Sequence, residues 1–315
     1  MPQTITTAST APAAGTGTAV PAIADLTVPS VLVTPSPTMA PGQLPPVVLS
    51  ASGVPLAVSG RRGASFVVTT PCQAEAVVDR VTPVASADVV IDPGHGGSIE
   101  EGAVGPAGLK EKDVNLAVAS ELSAALERAG MHPLLTRTRD YPMTIEARAR
   151  IVRNLRPKAF VSIHHNADPE GASNAPGTET YFQVASADSK RLSGLIWEEV
   201  TKALSRYRIS WVTRHDAGAK PRPGEGGGDY YGILRLTHGT PASLAELAYI
   251  SNPPEEAALA RPDFQQAEAA AVARAVVRFV GSADPGSGYV TPSPRNEPAG
   301  SGGTRSPSCV DPALD

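Results

Sequence analysis

Between residues 87 and 280, short β-branched runs alternate with helical stretches, and this alternation leaves few folds open to the chain. The spacing predicts strands over 87–92, 133–138, 159–164, 178–184 and 242–249, and helices over 109–129, 144–155, 187–206 and 263–280. The first helix sets Leu109, Val114, Val118, Leu122 and Leu126 on one face and stops at Gly130; Thr144 stands where the second needs an N-cap. The third carries Leu192, Leu195, Ile196, Val200 and Leu204 along one stripe. Strand–helix alternation of this kind predicts an α/β fold, a twisted and largely parallel sheet with helices on both faces. In such sheets ligands bind beyond the carboxyl ends of the strands.

The flanks differ. Residues 1–46 are rich in Pro, Ala and Thr and carry little charge. They offer too little periodic apolar surface to offset ordering entropy, so a disordered leader is expected. Residues 47–86 hold the β-prone runs Val47-Val48-Leu49, Leu56-Ala57-Val58 and Ser65-Phe66-Val67-Val68 between glycine turns, which predicts a small hairpin packed on the main domain, or a linker. Residues 282–315 return to Gly, Pro and Ser and read as a disordered tail, leaving 87–281 as the domain that carries chemistry. Cys72 and Cys309 both lie outside that domain; one disulfide and two unpaired thiols are both compatible with their placement. A net charge of -4 gives no basic footprint for nucleic acid. No apolar run reaches the ~18 residues of a membrane span, and residues 1–30 have neither the basic nor the apolar region of a signal peptide. Residues 214–229, rich in Gly, Pro and charge, interrupt the alternation, either as a mobile loop over a groove or as a solvated excursion.

Four residues stand out as candidates for chemistry. The run Val89-Val90-Ile91-Asp92-Pro93-Gly94-His95-Gly96-Gly97 carries an apolar strand into a tight turn that presents His95. It does not continue into a phosphate-binding glycine pattern. Glu111 heads a helix, where an acidic residue is also expected simply to complement the helix dipole. His164 ends the strand Ala159-Phe160-Val161-Ser162-Ile163, and His165 follows it. Successive residues of a strand point to opposite faces, so at most one of the two faces a pocket. Two His and one Glu on separate elements suit a three-ligand zinc site with an open position. Glu246 interrupts the otherwise apolar run Ser243-Leu244-Ala245-Glu246-Leu247-Ala248-Tyr249-Ile250. A carboxylate there is costly unless paired or used, and beside a metal it suits a general base.

In order along the chain, several segments resemble the zinc-dependent N-acetylmuramoyl-L-alanine amidases of the amidase 3 type. They are Ile91-Asp92-Pro93-Gly94-His95-Gly96-Gly97, Gly102-Ala103-Val104-Gly105, Leu109-Lys110-Glu111-Lys112-Asp113-Val114-Asn115-Leu116, Leu135-Thr136-Arg137-Thr138-Arg139-Asp140, Phe160-Val161-Ser162-Ile163-His164-His165-Asn166-Ala167, and Ala245-Glu246-Leu247-Ala248-Tyr249-Ile250-Ser251-Asn252-Pro253. The resemblance implies one Zn²⁺ per chain held by His95, Glu111 and His164, with His165 in the variable place of the family's Ser-Ile-His-Xaa-Asn pattern. It implies Glu246 as catalytic residue, and Arg235 and Asn166 as substrate-binding residues. Ala248 stands where the family commonly has glycine. The implied reaction is hydrolysis of the amide between the lactyl group of N-acetylmuramic acid and L-alanine, with peptidoglycan or muropeptides as partner. The protein is then expected in the cell envelope or secreted, and as a monomer. The competing expectations are a catalytically silent muropeptide-binding regulator on the same fold, or another zinc peptidase. Retention of all four site residues favours the enzyme.

Overall fold

The computed structural model describes residues 42–98, 100–168, 171–174, 177–209, 218–286 and 309–315. Most of the expected leader, residues 214–217 of the Gly-rich stretch and residues 287–308 of the tail lie outside the described residues.

The main domain is built on a six-stranded sheet of β6 (Val89–Pro93), β7 (Pro133–Leu135), β8 (Ala159–Asn166), β9 (Glu179–Phe182), β10 (Gly218–Pro221) and β11 (Ala242–Tyr249), in the order β10-β9-β11-β8-β6-β7. The parallel arrangement expected from sequence holds for β7, β6, β8 and β11. It fails at β9, which runs antiparallel to β11, and β10 then pairs parallel to β9. The physical reason is the β8–β9 connection, whose described residues form no crossover helix, so the chain reverses instead of crossing over.

Period-two alternation sends odd residues of β6, β8 and β11 to one face and even residues to the other. Val89, Ile91, Val161, Ile163, Ala245 and Leu247 pack under α1 (Glu111–Arg128), α3 (Ala187–Leu204) and α6 (Pro262–Gly281). Val90, Phe160, Tyr181 and Leu244 pack under α2 (Ile145–Leu155) and the short α4 (Gly232–Leu236). Helices thus cover both faces, and Thr144 caps α2 through the Ala147 N–H as its sequence position predicts.

Residues 47–84 form a second, antiparallel sheet of five strands, β1 (Val47–Ser50), β2 (Pro55–Arg62), β3 (Ser65–Thr69), β4 (Glu75–Val78) and β5 (Val81–Val84), in the order β4-β3-β2-β1-β5. Val47 and Ala57 join the apolar cluster of α2, so the small sheet is continuous with the main core. The expectation of a disordered tail is corrected for 309–315. Cys309 is disulfide-bonded to Cys72, and the Asp311 carboxylate accepts from Thr70 Oγ1 and the Cys72 N–H, at 2.8 and 2.7 Å. A covalent link and two hydrogen bonds to one carboxylate supply the ordering that composition did not reveal.

Candidate active site

The turn after β6 is shaped by two buried arginines. Arg137 Nε and Nη2 donate to the carbonyls of Pro93 and Gly94, at 2.9 and 3.0 Å. Arg148, on α2, donates to the Pro93 and His95 carbonyls and to Asp92 Oδ1. Asp92 also accepts from Thr136 and Ser162. Burial raises the Asp92 pKa, but Arg148 and these hydroxyls outweigh it and hold the carboxyl below the usual range. So fixed, His95 adopts φ 60°, a left-handed conformation rare for a side chain with a Cβ. Gly94 lets His164 approach: a Cβ there would stand 2.2 Å from the imidazole Cε1.

His95, Glu111 and His164 come together. Glu111 is the first residue of α1, and it is buried rather than turned to solvent. Its Oε2 lies 3.2 Å from His95 Nε2, and its Oε1 lies 2.9 Å from His164 Nδ1. The Ala103 N–H donates to Oε2, while Asn115 Nδ2 and the His165 N–H donate to Oε1. Burial raises the Glu111 pKa, yet the two histidines hold it well below the carboxylate range. Burial keeps His164 low, favouring the neutral imidazole a metal requires. One donor atom from each of the three residues lies within 4.8 Å of the others. Two imidazoles and a carboxylate at this separation fit a zinc ion.

The sequence places His164 at a strand end; instead β8 continues through His165 to Asn166. His164 then pairs in register with Glu246 of β11, and both are even residues on one face. Glu246 Oε2 is buried and has no hydrogen-bond partner among the described residues. Its pKa is pushed well above the carboxylate range, first by burial and then by the charges of Glu111 and Glu179. Glu179 is the cross-strand neighbour of Glu246 on β9. It is satisfied by Lys220 at 3.0 Å, Asn166 Nδ2 at 3.0 Å, and the hydroxyls of Tyr181 and Tyr249. Both Glu179 and Lys220 are buried.

Two expected substrate residues are placed differently from the rest. Asn166 is engaged with Glu179 and, through Oδ1, with the Ala167 N–H. Arg235 Nη1 donates to the carbonyls of Asp229 and Tyr230, fastening the loop before α4. The Glu179–Lys220 pair was not singled out in the sequence. Lys220 lies in the Gly- and Pro-rich stretch read as loop, and no local pattern marks it as a buried strand residue.

The sequence matches the N-acetylmuramoyl-L-alanine amidase family of the amidase 3 type over residues 89–278, more than half of the chain. It is 36% identical over 196 residues to the uncharacterized protein YqiI of Bacillus subtilis (strain 168), covering 62% of this chain and 85% of YqiI. It is 30% identical over 213 residues to the N-acetylmuramoyl-L-alanine amidase LytC of the same strain, covering 67% of this chain but only 39% of LytC. Among solved structures it is similar to the amidase AmiC2 of Nostoc punctiforme, with a TM-score of 0.52, 28% identity, and coverage of 62% of this chain and 97% of that one. The chain belongs to the N-acetylmuramoyl-L-alanine amidase family, a family of hydrolases.

Proposed function

We propose that this protein is a zinc-dependent peptidoglycan hydrolase that cleaves the amide between the lactyl group of N-acetylmuramic acid and L-alanine. The observation that carries this reading is the Oε2 of Glu246, which has no partner among the described residues and is set on the same face and in register with His164 of a three-donor cluster. His95, Glu111 and His164 would hold the metal. Zinc, when bound, supplies a Lewis acid that lowers the pKa of water from 15.7 toward ~7 and polarises a carbonyl.

The remaining work falls to the chain. Glu246 takes the proton of the attacking water on Oε2 and returns it to the departing amine of L-alanine. Its raised pKa favours holding that proton until the amine departs. Glu179 is engaged by Lys220 and by the Tyr181 hydroxyl, and among the described residues no donor is left for Glu246 Oε2. Peptidoglycan as substrate implies action in the cell envelope or after secretion.

The test is mass spectrometry of a defined muramoyl-peptide incubated with zinc-loaded protein. Release of the intact stem peptide with a free L-alanine amine is expected. Cleavage within the peptide would assign a different zinc peptidase, and an intact substrate with zinc bound would assign a binding protein. Glu246→Gln should keep stoichiometric zinc and lose about 10²–10⁴-fold in turnover. Wild-type turnover in that variant would remove Glu246 from the mechanism.

A further inference from the structure

Behind the donor cluster lies a buried polar chain that the proposed reaction does not use. His165, odd-numbered on β8, points away from His164 into the face covered by α1 and α6. Its Nδ1 lies 2.7 Å from Asn115 Oδ1 on α1, and its Nε2 lies 3.4 Å from Glu268 Oε2 on α6. The side chains of His165 and Glu268 are fully enclosed, and Glu268 Oε1 has no partner among the described residues.

The directions of these bonds are determined. Asn115 Nδ2 donates to the Gly94 carbonyl and to Glu111 Oε1, at 3.2 Å each. Its Oδ1 is therefore the acceptor, and His165 Nδ1 must carry a proton. His165 Nε2 in turn faces Glu268 Oε2. The chain runs Glu268–His165–Asn115–Glu111 and ends on a carboxylate oxygen of the donor cluster. The same Oε1 receives the backbone N–H of His165.

This arrangement does not serve stability well. A buried acid with one oxygen unmatched is costly, and apolar replacements of such pairs are often neutral or stabilising. What the chain does accomplish is to hold Asn115 in one orientation. Asn115 in turn fixes both the Gly94 peptide beside His164 and the rotation of the Glu111 carboxylate.

We propose that Glu268 and His165 are positioning residues that act through Asn115 to orient Glu111 for the metal. This rests on the zinc reading of the cluster. Partners of metal ligands, when removed, typically cost 10–100-fold in metal affinity. Glu268→Gln retains an N–H for His165 Nε2, whereas Glu268→Leu retains the volume and no hydrogen bond.

The experiment is zinc competition against a chromophoric chelator, with thermal melting of the metal-free protein alongside. Glu268→Gln should bind zinc within about threefold of wild type. Glu268→Leu should bind at least tenfold more weakly, and its metal-free melt, expected to fall because one partner of a buried pair is removed, confirms that folded protein is being titrated. His165→Leu, which removes the donor to Asn115, should show the same loss and keeps the test open if Glu268→Leu fails to fold. Wild-type affinity in Glu268→Leu would overturn the inference and leave the zinc site standing. Equal losses in Glu268→Gln and Glu268→Leu would overturn it too, since the hydrogen bond would then be irrelevant. A wild-type protein that binds no zinc would overturn the site reading and this inference with it.

Discussion

Gly94 shows how narrowly a single position is set. It follows β6 and lies against His164, whose ring atoms Cε1, Nε2 and Nδ1 would all stand within 2.6 Å of an added Cβ. The neighbouring atoms cannot yield cheaply, because the imidazole is itself held at 2.9 Å by Glu111. Gly94→Ala is therefore expected to displace His164 by about an ångström, a misplacement that can cost 10²-fold in rate. Zinc titration and turnover of the variant check this, and near-normal values in both would show that the turn is more compliant than its geometry implies. Gly102 plays the matching part for Glu111 and His95, with φ +71° and an added Cβ 2.5 Å from Glu111 Oε2. Neither glycine is adjacent in sequence to the side chain it admits. Nothing in composition or periodicity tells a glycine required for close approach from one that merely ends a strand.

At the scale of elements, the ion pair between Asp92 of β6 and Arg148 of α2 fastens the sheet to a helix directly beneath the site, at 2.6 Å and with both groups buried. Asp92→Asn leaves the Arg148 charge buried without its counter-ion, and a loss of about 3–5 kcal/mol is expected at pH 7. The sign with pH follows from the depressed Asp92 pKa. The folded state favours the ionised carboxyl, so its contribution is present above the unfolded value of about 3.9 and fades as pH falls through the lower folded value. The gap between wild type and Asp92→Asn in denaturant midpoints should accordingly close below about pH 4, and a gap constant from pH 7 to pH 3 would contradict it. This pairing was partly legible: the alternation that places Asp92 at the end of a buried strand also predicts α2 and its Thr144 cap. The elements that escaped the sequence are β4, β5, β10, α4 and α5 (Pro253–Leu259), the three strands of four residues each and the helices of five and seven, too short to show a period. The antiparallel turn of β9 escaped as well, because period two reports which face a residue occupies and not which way its strand runs. Glu246 and His164 were legible as residue types in apolar runs. Their register, and hence their adjacency, required the sheet.

For the whole molecule, the small sheet acts as a clamp on the loop that follows β7. Thr138 Oγ1 donates to the Gly53 carbonyl, Arg139 Nη2 to that of Ser52, and the Thr144 N–H to that of Pro71. Tyr141, in the same loop, packs with Val48, Val54, Leu56 and Val68. Its backbone runs against the His95 turn: an added Cβ on Gly96 would meet the Tyr141 carbonyl oxygen at 2.4 Å. The tail segment 309–315 closes this sheet through the Cys72–Cys309 disulfide, which spans a separation of 237 residues. Bridging so long a stretch restricts the unfolded chain strongly, and native disulfides typically contribute about 2–4 kcal/mol. Replacing both cysteines by serine should lower stability by that amount in denaturant unfolding. The amides that the tail protects, such as the Cys72 N–H held by Asp311, should then exchange freely. Zinc affinity should stay within about threefold of wild type, because the His95 turn is held directly by Arg137 and Arg148 and only indirectly by the sheet. Loss of zinc together with the disulfide would mean that the clamp reaches the donors after all, through Tyr141 and Gly96. Unchanged stability would mean that the hydrogen bonds of Asp311 and the packing of Leu314 already hold the tail without the covalent link.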